Sequence, residues 1–306
     1  QVASYYKLDN LIGILDVNRL GQRGDTMYGH DMKAYKKRIA SFGWETIVVN
    51  GHSLSQIHDA YKKAHAVRKG KPVMIIAKTI KGKGVSFLED LNGWHGKPLK
   101  DDQLQRALKE LGEVDISIKG IIKKPVKMKI QSKKYKIQNP QLKTIEYKKG
   151  EIIATRKAYG NALVRLFPHF PEMVVLDAET SNSTYADIFQ KKYPQSFFEM
   201  FIAEQNMVGV ALGLSARGKI PFVSTFAAFF TRAYDQIRMA QYSDANIKFV
   251  GSHCGVSIGV DGASQMGLED IAMFGSLLES VVLYPSDAYA TERLVEQAVQ
   301  HHGLVY

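Results

Sequence analysis

The stretch FFEMFIAEQNMVGVALGLSARG, Phe197 to Gly218, leaves an apolar run through a single carboxylate, Glu204, and goes straight into small and apolar residues. An ionisable acid at such a junction has two uses. It caps the helix that follows, or its carboxyl group takes part in chemistry. Other chemistry-bearing residues sit in short, glycine-marked segments. LDVNRLGQ sets Asp16 and Asn18 beside a glycine. An Asn oxygen with a nearby backbone carbonyl fits a Mg²⁺–diphosphate site, and an Asx-turn is the simpler reading of the same residues. KTIKGKG (Lys78 to Gly84) and GWHGKP (Gly93 to Pro98) place lysine and histidine among glycines. Glycine lets a backbone approach a phosphate, although an ordinary basic surface loop has a similar composition. GSHCGVSIGVDGASQMG (Gly251 to Gly267) has five glycines with His253, Asp261 and Gln265 among them, which suits a loop that closes over a ligand. Cys254 beside His253 reads as a small buried residue, because sequence neighbours seldom face each other. STFAAFFTRAYDQIRM spaces Phe226, Phe229 and Phe230 as a helical core face, and an aromatic at a strand end can also stack on a flat ring.

The segments between these residues alternate strand and helix patterns. NLIGILD, WETIVVNGH and PVMIIAKT read as strands. MKAYKKRIASFG and SLSQIHDAYKKAHAVRKG read as helices, the second with Ser53 as N-cap. After a break the alternation resumes. ATRKAYGNALVRLF and QNMVGVALGLSARG read as helices, and EMVVLDAE, FFEMFIAE, IPFVSTF, NIKFVGSH and SVVLYP as strands. Strands separated by helices of this length indicate parallel βαβ units. Ligands of such sheets bind beyond the carboxyl ends of the strands. Asp16, Asn18, His52, Lys78, Lys81, Asp177, Glu179, Glu204, Thr225 to Phe230 and His253 all stand at those ends.

The chain of 306 residues is 45% hydrophobic, enough for about two domains with sizeable cores. No apolar run is long enough to span a bilayer, and no signal peptide opens the chain. With Cys254 its only cysteine, no intrachain disulfide is possible, which fits a reducing, cytoplasmic setting. The net charge is +11, and the segment Lys119 to Lys149, with eleven lysines, no arginine and the one acid Glu146, carries nearly all of it. Charge confined to one lysine-only segment argues for a solvated linker and against nucleic-acid binding. The expected organisation is 1–115 as a first α/β domain, 116–150 as a linker and 151–306 as a second.

In this order the motifs ILDVNRLGQ, AKTIKGKG, WHGKPL, IATRKAYG, AETSNST, FIAEQNMVGVALGL, STFAAFFTRAYDQIRM, GSHCGVSIGVDGASQM and YPSDA closely resemble the transketolase family, in its shorter, animal-type branch. The resemblance runs over essentially the whole chain. It implies two doubly wound parallel-sheet domains, one binding the diphosphate and one the pyrimidine of thiamine diphosphate. It implies reversible transfer of a two-carbon ketol unit from a ketose phosphate to an aldose phosphate, in the pentose phosphate pathway. It implies a homodimer whose cofactor lies between the diphosphate domain of one subunit and the pyrimidine domain of the other. It assigns Glu204 to the aminopyrimidine, where a protonated carboxyl favours the imino tautomer that generates the cofactor ylid. That job needs a pKa raised by apolar neighbours such as Phe201, Ile202, Met207 and Val208. Asn18 and the Leu20 carbonyl match ligands of Mg²⁺, or of Ca²⁺ in its place. Lys81 and His95 match positions near cofactor and sugar, Phe229 the residue stacked on the pyrimidine, and Gln265 a position near the cofactor amine. Arg156, Ser183, His253 and Asp261 match groups that hold substrate phosphate and hydroxyls, with His253 and His95 as proton-transfer partners.

At both ends this sequence departs from the family pattern. The family's Gly-Asp-Gly motif, whose Asp is the other main Mg²⁺ ligand, lies upstream of the position of Asn18, and the residues before Asn18 here hold no such motif. QVASYYKLDN looks like the end of a helix and GLVY like a strand barely begun. The expectation is the second part of a diphosphate domain plus most of a pyrimidine domain, with the family's third domain absent and cofactor binding impaired. The rival readings are another thiamine enzyme, such as a deoxyxylulose-phosphate synthase, and a non-catalytic binding module.

Overall fold

A computed structural model describes residues 1–66, 70–113, 115–121 and 144–306. The chain forms two compact units, residues 1–124 and 125–306. The first begins with a short helix, α1 (Val2–Tyr5). Then β1 (Ile12–Val17), α2 (Met32–Ser41), β2 (Glu45–Asn50), α3 (Leu54–Ala66), β3 (Val73–Lys78) and α4 (Asp101–Leu111) follow. Its three strands are parallel in the order β1-β3-β2, with Ile12 and Glu45 both level with Val73. The central strand VMIIAK is the most apolar of the three, and its Val73, Ile75 and Ile76 are buried. Ala60 and Ala64, one turn apart on α3, pack with Val49, Val73, Ile75 and Ala77. The outer strands leave Ile14 and Val48 exposed. Asp31 caps α2 by accepting from the Ala34 N–H at 3.0 Å, and Ser53 accepts from the Gln56 N–H at the start of α3, as its N-cap reading requires. The amphipathic helix α4 was not among the elements expected from the sequence.

The second unit runs α5 (Thr155–Leu166), β4 (Met173–Asp177), α6 (Ser181–Thr184), α7 (Asp187–Lys192), β5 (Phe197–Glu199), α8 (Glu204–Ala216), β6 (Ile220–Phe226), α9 (Tyr234–Tyr242), β7 (Lys248–Ser252), α10 (Asp270–Gly275) and α11 (Ala288–Gln300). Its sheet is parallel throughout, ordered β5-β4-β6-β7. Every residue of β4 and β6 is buried, the mark of strands covered on both faces. One core forms where Tyr159, Leu163 and Leu166 of α5 meet Met173, Val175, Phe189, Phe197, Phe222 and Val299.

The structure corrects two of the expected strands. FFEMFIAE contributes only Phe197–Glu199 to the sheet. After Glu199 the chain turns, with Phe201 at φ 60°, and Ile202 is 70% exposed, so apolar cover for Glu204 does not come from Ile202 in this unit. SVVLYP forms no strand, only a bridge from Val281 to Val305. Residues 122–143 lie outside the described residues, and with them most of the lysine-rich segment and its reading as a linker. Among the described residues no helix is long and apolar enough to cross a membrane.

Candidate functional site

In the first unit, the chain leaving β1 makes a tight turn at Asn18, Arg19 and Leu20. The Asn18 Oδ1 accepts the Leu20 N–H at 3.1 Å, so the Asx-turn is real. Arg19 is left-handed at φ 59°, and its guanidinium holds Asp90 at 2.8 Å and Asp25 at 2.7 Å. Asp90 is left-handed too, and the hydrogen bond from Arg19 holds its carboxyl below the usual range. The Leu20 carbonyl accepts from the Lys81 ammonium at 3.3 Å. Two histidines fix the loop bearing Lys81. His52 Nε2 accepts from the Ile80 N–H at 2.8 Å, and His30 Nε2 meets the Thr79 carbonyl at 2.9 Å. Thr79 donates its hydroxyl to the Asp16 carboxylate. Asn18, Leu20 and Lys81 are therefore brought together at one turn. His95 is exposed, next to Trp94, whose ring packs edge-on to Phe87.

In the second unit, Glu204 is the first residue of α8 and only 3% exposed. The N-cap is Ala203 and no side chain caps the helix through a hydrogen bond, so Glu204 stands in the first turn without serving as the N-cap. The Glu204 Oε2 is buried without a hydrogen-bond partner, and the Arg232 guanidinium stands 3.5 Å away, within ion-pair range but too long for a hydrogen bond. Buried oxygens without a hydrogen bond are rare, and those that persist ask for a ligand or a function. Phe226 ends β6 and stacks on Phe229, ring planes within 4° and centroids 5.0 Å apart. Phe229 is half-buried, whereas Phe230 is the core aromatic. His253 lies 4.0 Å from the Phe226 ring centroid. Its Nδ1 pairs with the Ser252 hydroxyl at 2.8 Å. Burial, then the nearby Arg156 charge, lower the His253 pKa, while Asp261 opposes them. The imidazole is accordingly neutral at neutral pH and able to accept a proton.

Arg156, in the first turn of α5, donates to the Ser183 carbonyl at 2.9 Å and lies over the Tyr185 ring at 5.2 Å. Tyr185 is left-handed, and its carbonyl lies so close to Gly160 that a Cβ there would collide with it. Glycine at 160 is what lets α5 approach this turn. Gln265 lies in a short turn, Ala263–Gln265, that packs on the segment carrying Phe229. Asp261 is exposed. Cys254 donates to the Gly251 carbonyl at 3.1 Å, and burial pushes its thiol up to about 11, which makes it a packing residue and no nucleophile. Sequence reasoning missed Arg232 as the cation beside Glu204 and His30 as a support of the lysine loop. Phe226 was among the strand-end residues singled out from the sequence, but its stack on Phe229 needed the structure.

Family models match both parts of the chain. Residues 1–159 match the thiamine diphosphate binding domain of transketolase, and 151–306 match its pyrimidine binding domain. The chain belongs to the transketolase family. It is 49% identical to transketolase of Homo sapiens and 48% identical to transketolase-like protein 2 of Mus musculus, in each case over 99% of this chain and 48% of the relative. It thus spans about half the length of the curated relatives it matches. The solved transketolase of Campylobacter jejuni, 22% identical, shares its fold with a TM-score of 0.83 over 99% of this chain and 52% of the other.

The residues present fit the family's cofactor on the pyrimidine side. A buried carboxyl oxygen with no hydrogen bond and an aromatic stack with one half-buried ring suit a flat, nitrogen-bearing ring. On the metal side, Asn18 and Leu20 supply two neutral oxygens. Among the described residues no cluster of three His, Cys, Asp or Glu side chains could hold a metal ion. Neutral oxygens suit Mg²⁺ only where phosphate and water complete its octahedron.

Proposed function

We propose that this chain carries the catalytic acid and the pocket of a transketolase that moves a two-carbon ketol unit between sugar phosphates. The carrying observation is Glu204, buried, with an Oε2 that no hydrogen bond satisfies and only the Arg232 guanidinium approaches, at 3.5 Å. Thiamine diphosphate, when bound, supplies the carbon nucleophile and electron sink that ketol transfer needs. Glu204 would present its carboxyl group to the aminopyrimidine. Phe229, backed by Phe226, orients that ring, and Gln265 stands by its amine. His253 accepts and returns the proton of a sugar hydroxyl, which its neutral state at neutral pH favours, and His95 is the other residue read as a proton-transfer partner. Arg156, Ser183 and Asp261 receive the sugar phosphate and hydroxyls. Asn18 and the Leu20 carbonyl hold Mg²⁺ or Ca²⁺, and Lys81 faces the diphosphate.

The reading includes a homodimer, each cofactor shared between the diphosphate half of one subunit and the pyrimidine half of the other, in the cytoplasm. The test is ketol transfer from xylulose 5-phosphate to ribose 5-phosphate, with and without thiamine diphosphate and Mg²⁺. Transfer that requires the cofactor supports the reading. A folded protein that binds the cofactor but transfers nothing overturns it.

A further inference from the structure

Three non-glycine residues of the second unit are left-handed just past the end of a strand: Glu179 (φ 63°), Phe201 (φ 60°) and His253 (φ 58°). Each such residue costs on the order of 1 kcal/mol and persists only where the surroundings impose it. Two of them share one fastening. Glu199, the last residue of β5, accepts the Glu179 N–H at 2.9 Å and the Phe201 N–H at 2.8 Å, both on the same oxygen, Oε1. The two turns leave different strands. Glu179 follows β4 and leads to Ser183, whose carbonyl receives Arg156. Phe201 follows β5 and leads to Glu204. Asp177 and Glu199 are level in the ladder between β4 and β5, which brings both turns within reach of one side chain.

We propose that Glu199 is a positioning residue that sets the acid Glu204 and the Ser183–Arg156 turn at one fixed separation. The proposal rests on the transketolase reading of those two places. A carboxylate oxygen has lone pairs for two N–H groups and accepts them more strongly than a neutral oxygen. An amide oxygen keeps both bonds in weaker form. Aspartate, one methylene shorter, cannot reach both turns. Alanine frees both, and each left-handed residue then has an easier backbone conformation to fall into.

The test compares Glu199→Ala, Glu199→Asp and Glu199→Gln with the unsubstituted full-length protein, using D-xylulose 5-phosphate and unphosphorylated D-xylulose as donors. In Glu199→Ala and Glu199→Asp, kcat falls about ten- to a hundredfold, the scale of ångström-level misplacement. KM for the phosphorylated donor rises several-fold, so preference for it over xylulose shrinks, while Glu199→Gln recovers most of both losses. Amide hydrogen exchange is the independent readout: the Glu179 and Phe201 N–H groups are protected in the unsubstituted and Gln proteins and exchange rapidly in the Ala protein. Unchanged kcat and donor preference in Glu199→Ala overturns the proposal. So does a Gln variant as impaired as Ala, or failure of the two amides to lose protection together. An unsubstituted protein without ketol transfer overturns the functional reading and the proposed role with it, whereas intact transfer with unprotected amides overturns the role alone.

Discussion

The turn at Asn18–Leu20 and the turn at Phe201–Glu204 both follow a parallel strand, and both contain a left-handed residue, yet they are held in opposite ways. Arg19 is fixed from outside, by its own guanidinium on Asp25 and Asp90. Phe201 is fixed from within, by a carboxylate that takes its backbone N–H. The first turn offers polar oxygens and an ammonium in partly solvated surroundings. The second delivers a carboxyl group into a buried space beside an aromatic stack. A diphosphate with its cation carries charge that must exchange with water, so its locus tolerates solvent. A carboxyl group that is to act as an acid near neutral pH is favoured by surroundings that exclude water. The contrast predicts that chemistry fails first in the second unit and binding fails first in the first.

The largest expected effect tests that division directly. Glu204→Gln keeps the size of the side chain and removes its carboxyl group. Ketol transfer is expected to fall by about a hundredfold or more, with the far-ultraviolet circular dichroism spectrum and thermal midpoint unchanged. A Gln variant that turns over nearly normally would remove Glu204 from the reaction and leave its burial unexplained.

Next in size is a stability effect. Arg165 of α5 donates to Glu292 of α11 at 2.7 Å, with side chains 9% and 6% exposed, and also reaches Glu296. Arg165→Met leaves Glu292 buried with only the Tyr147 hydroxyl as a side-chain donor. Breaking such a pair from one side costs about 3 kcal/mol. Urea unfolding should show this as a lower midpoint without a change in slope.

Much of the architecture was legible because parallel strands buried on both faces read as continuous apolar runs, as IPFVSTF and VMIIAK do. Periodicity failed where tertiary geometry decides. The apolar residues of FFEMFIAE promise a long strand, but the chain must turn after Glu199 to start α8 at Glu204. SVVLYP is apolar enough for a strand, yet it meets the sheet at one bridge. The site was legible as a set of residue types at strand ends and became specific only through the order of nine motifs. Invisible in one dimension were contacts between residues far apart in the chain, such as His30 with Thr79 and Glu199 with Glu179. Nothing in a local pattern announces which carboxylate will fasten which turn.

A pH experiment separates burial from solvation at a second acid. Burial raises the Asp177 pKa from 3.8 to about 7, against the opposing hydrogen bonds from Thr180 and Thr184. The folded chain then holds a proton, between about pH 4 and pH 7, that the unfolded chain releases. Raising the pH through that window favours unfolding. The stabilisation from this proton is complete below about pH 4 and lost as pH passes about 7. Asp177→Asn should flatten that part of the stability–pH curve. An unaltered slope in the variant would show that Asp177 is ionised in the fold.

The smallest effect belongs to the open turn of the first unit. Asn18 supplies a neutral oxygen that already accepts the Leu20 N–H. On the proposed reading, removing it would take one weak donor from a cation that draws most of its ligands from phosphate and water. Arg19 still holds the turn through Asp25 and Asp90, so the fold has no reason to change. Asn18→Ala in the full-length protein should therefore weaken cofactor binding by about tenfold at low Mg²⁺, and by less as Mg²⁺ is raised, with kcat at saturating cofactor preserved. Calorimetric titration of thiamine diphosphate at several Mg²⁺ concentrations, beside steady-state kinetics, makes the measurement. A fall in kcat that saturating cofactor does not repair would mean that the two turns are not divided between binding and chemistry.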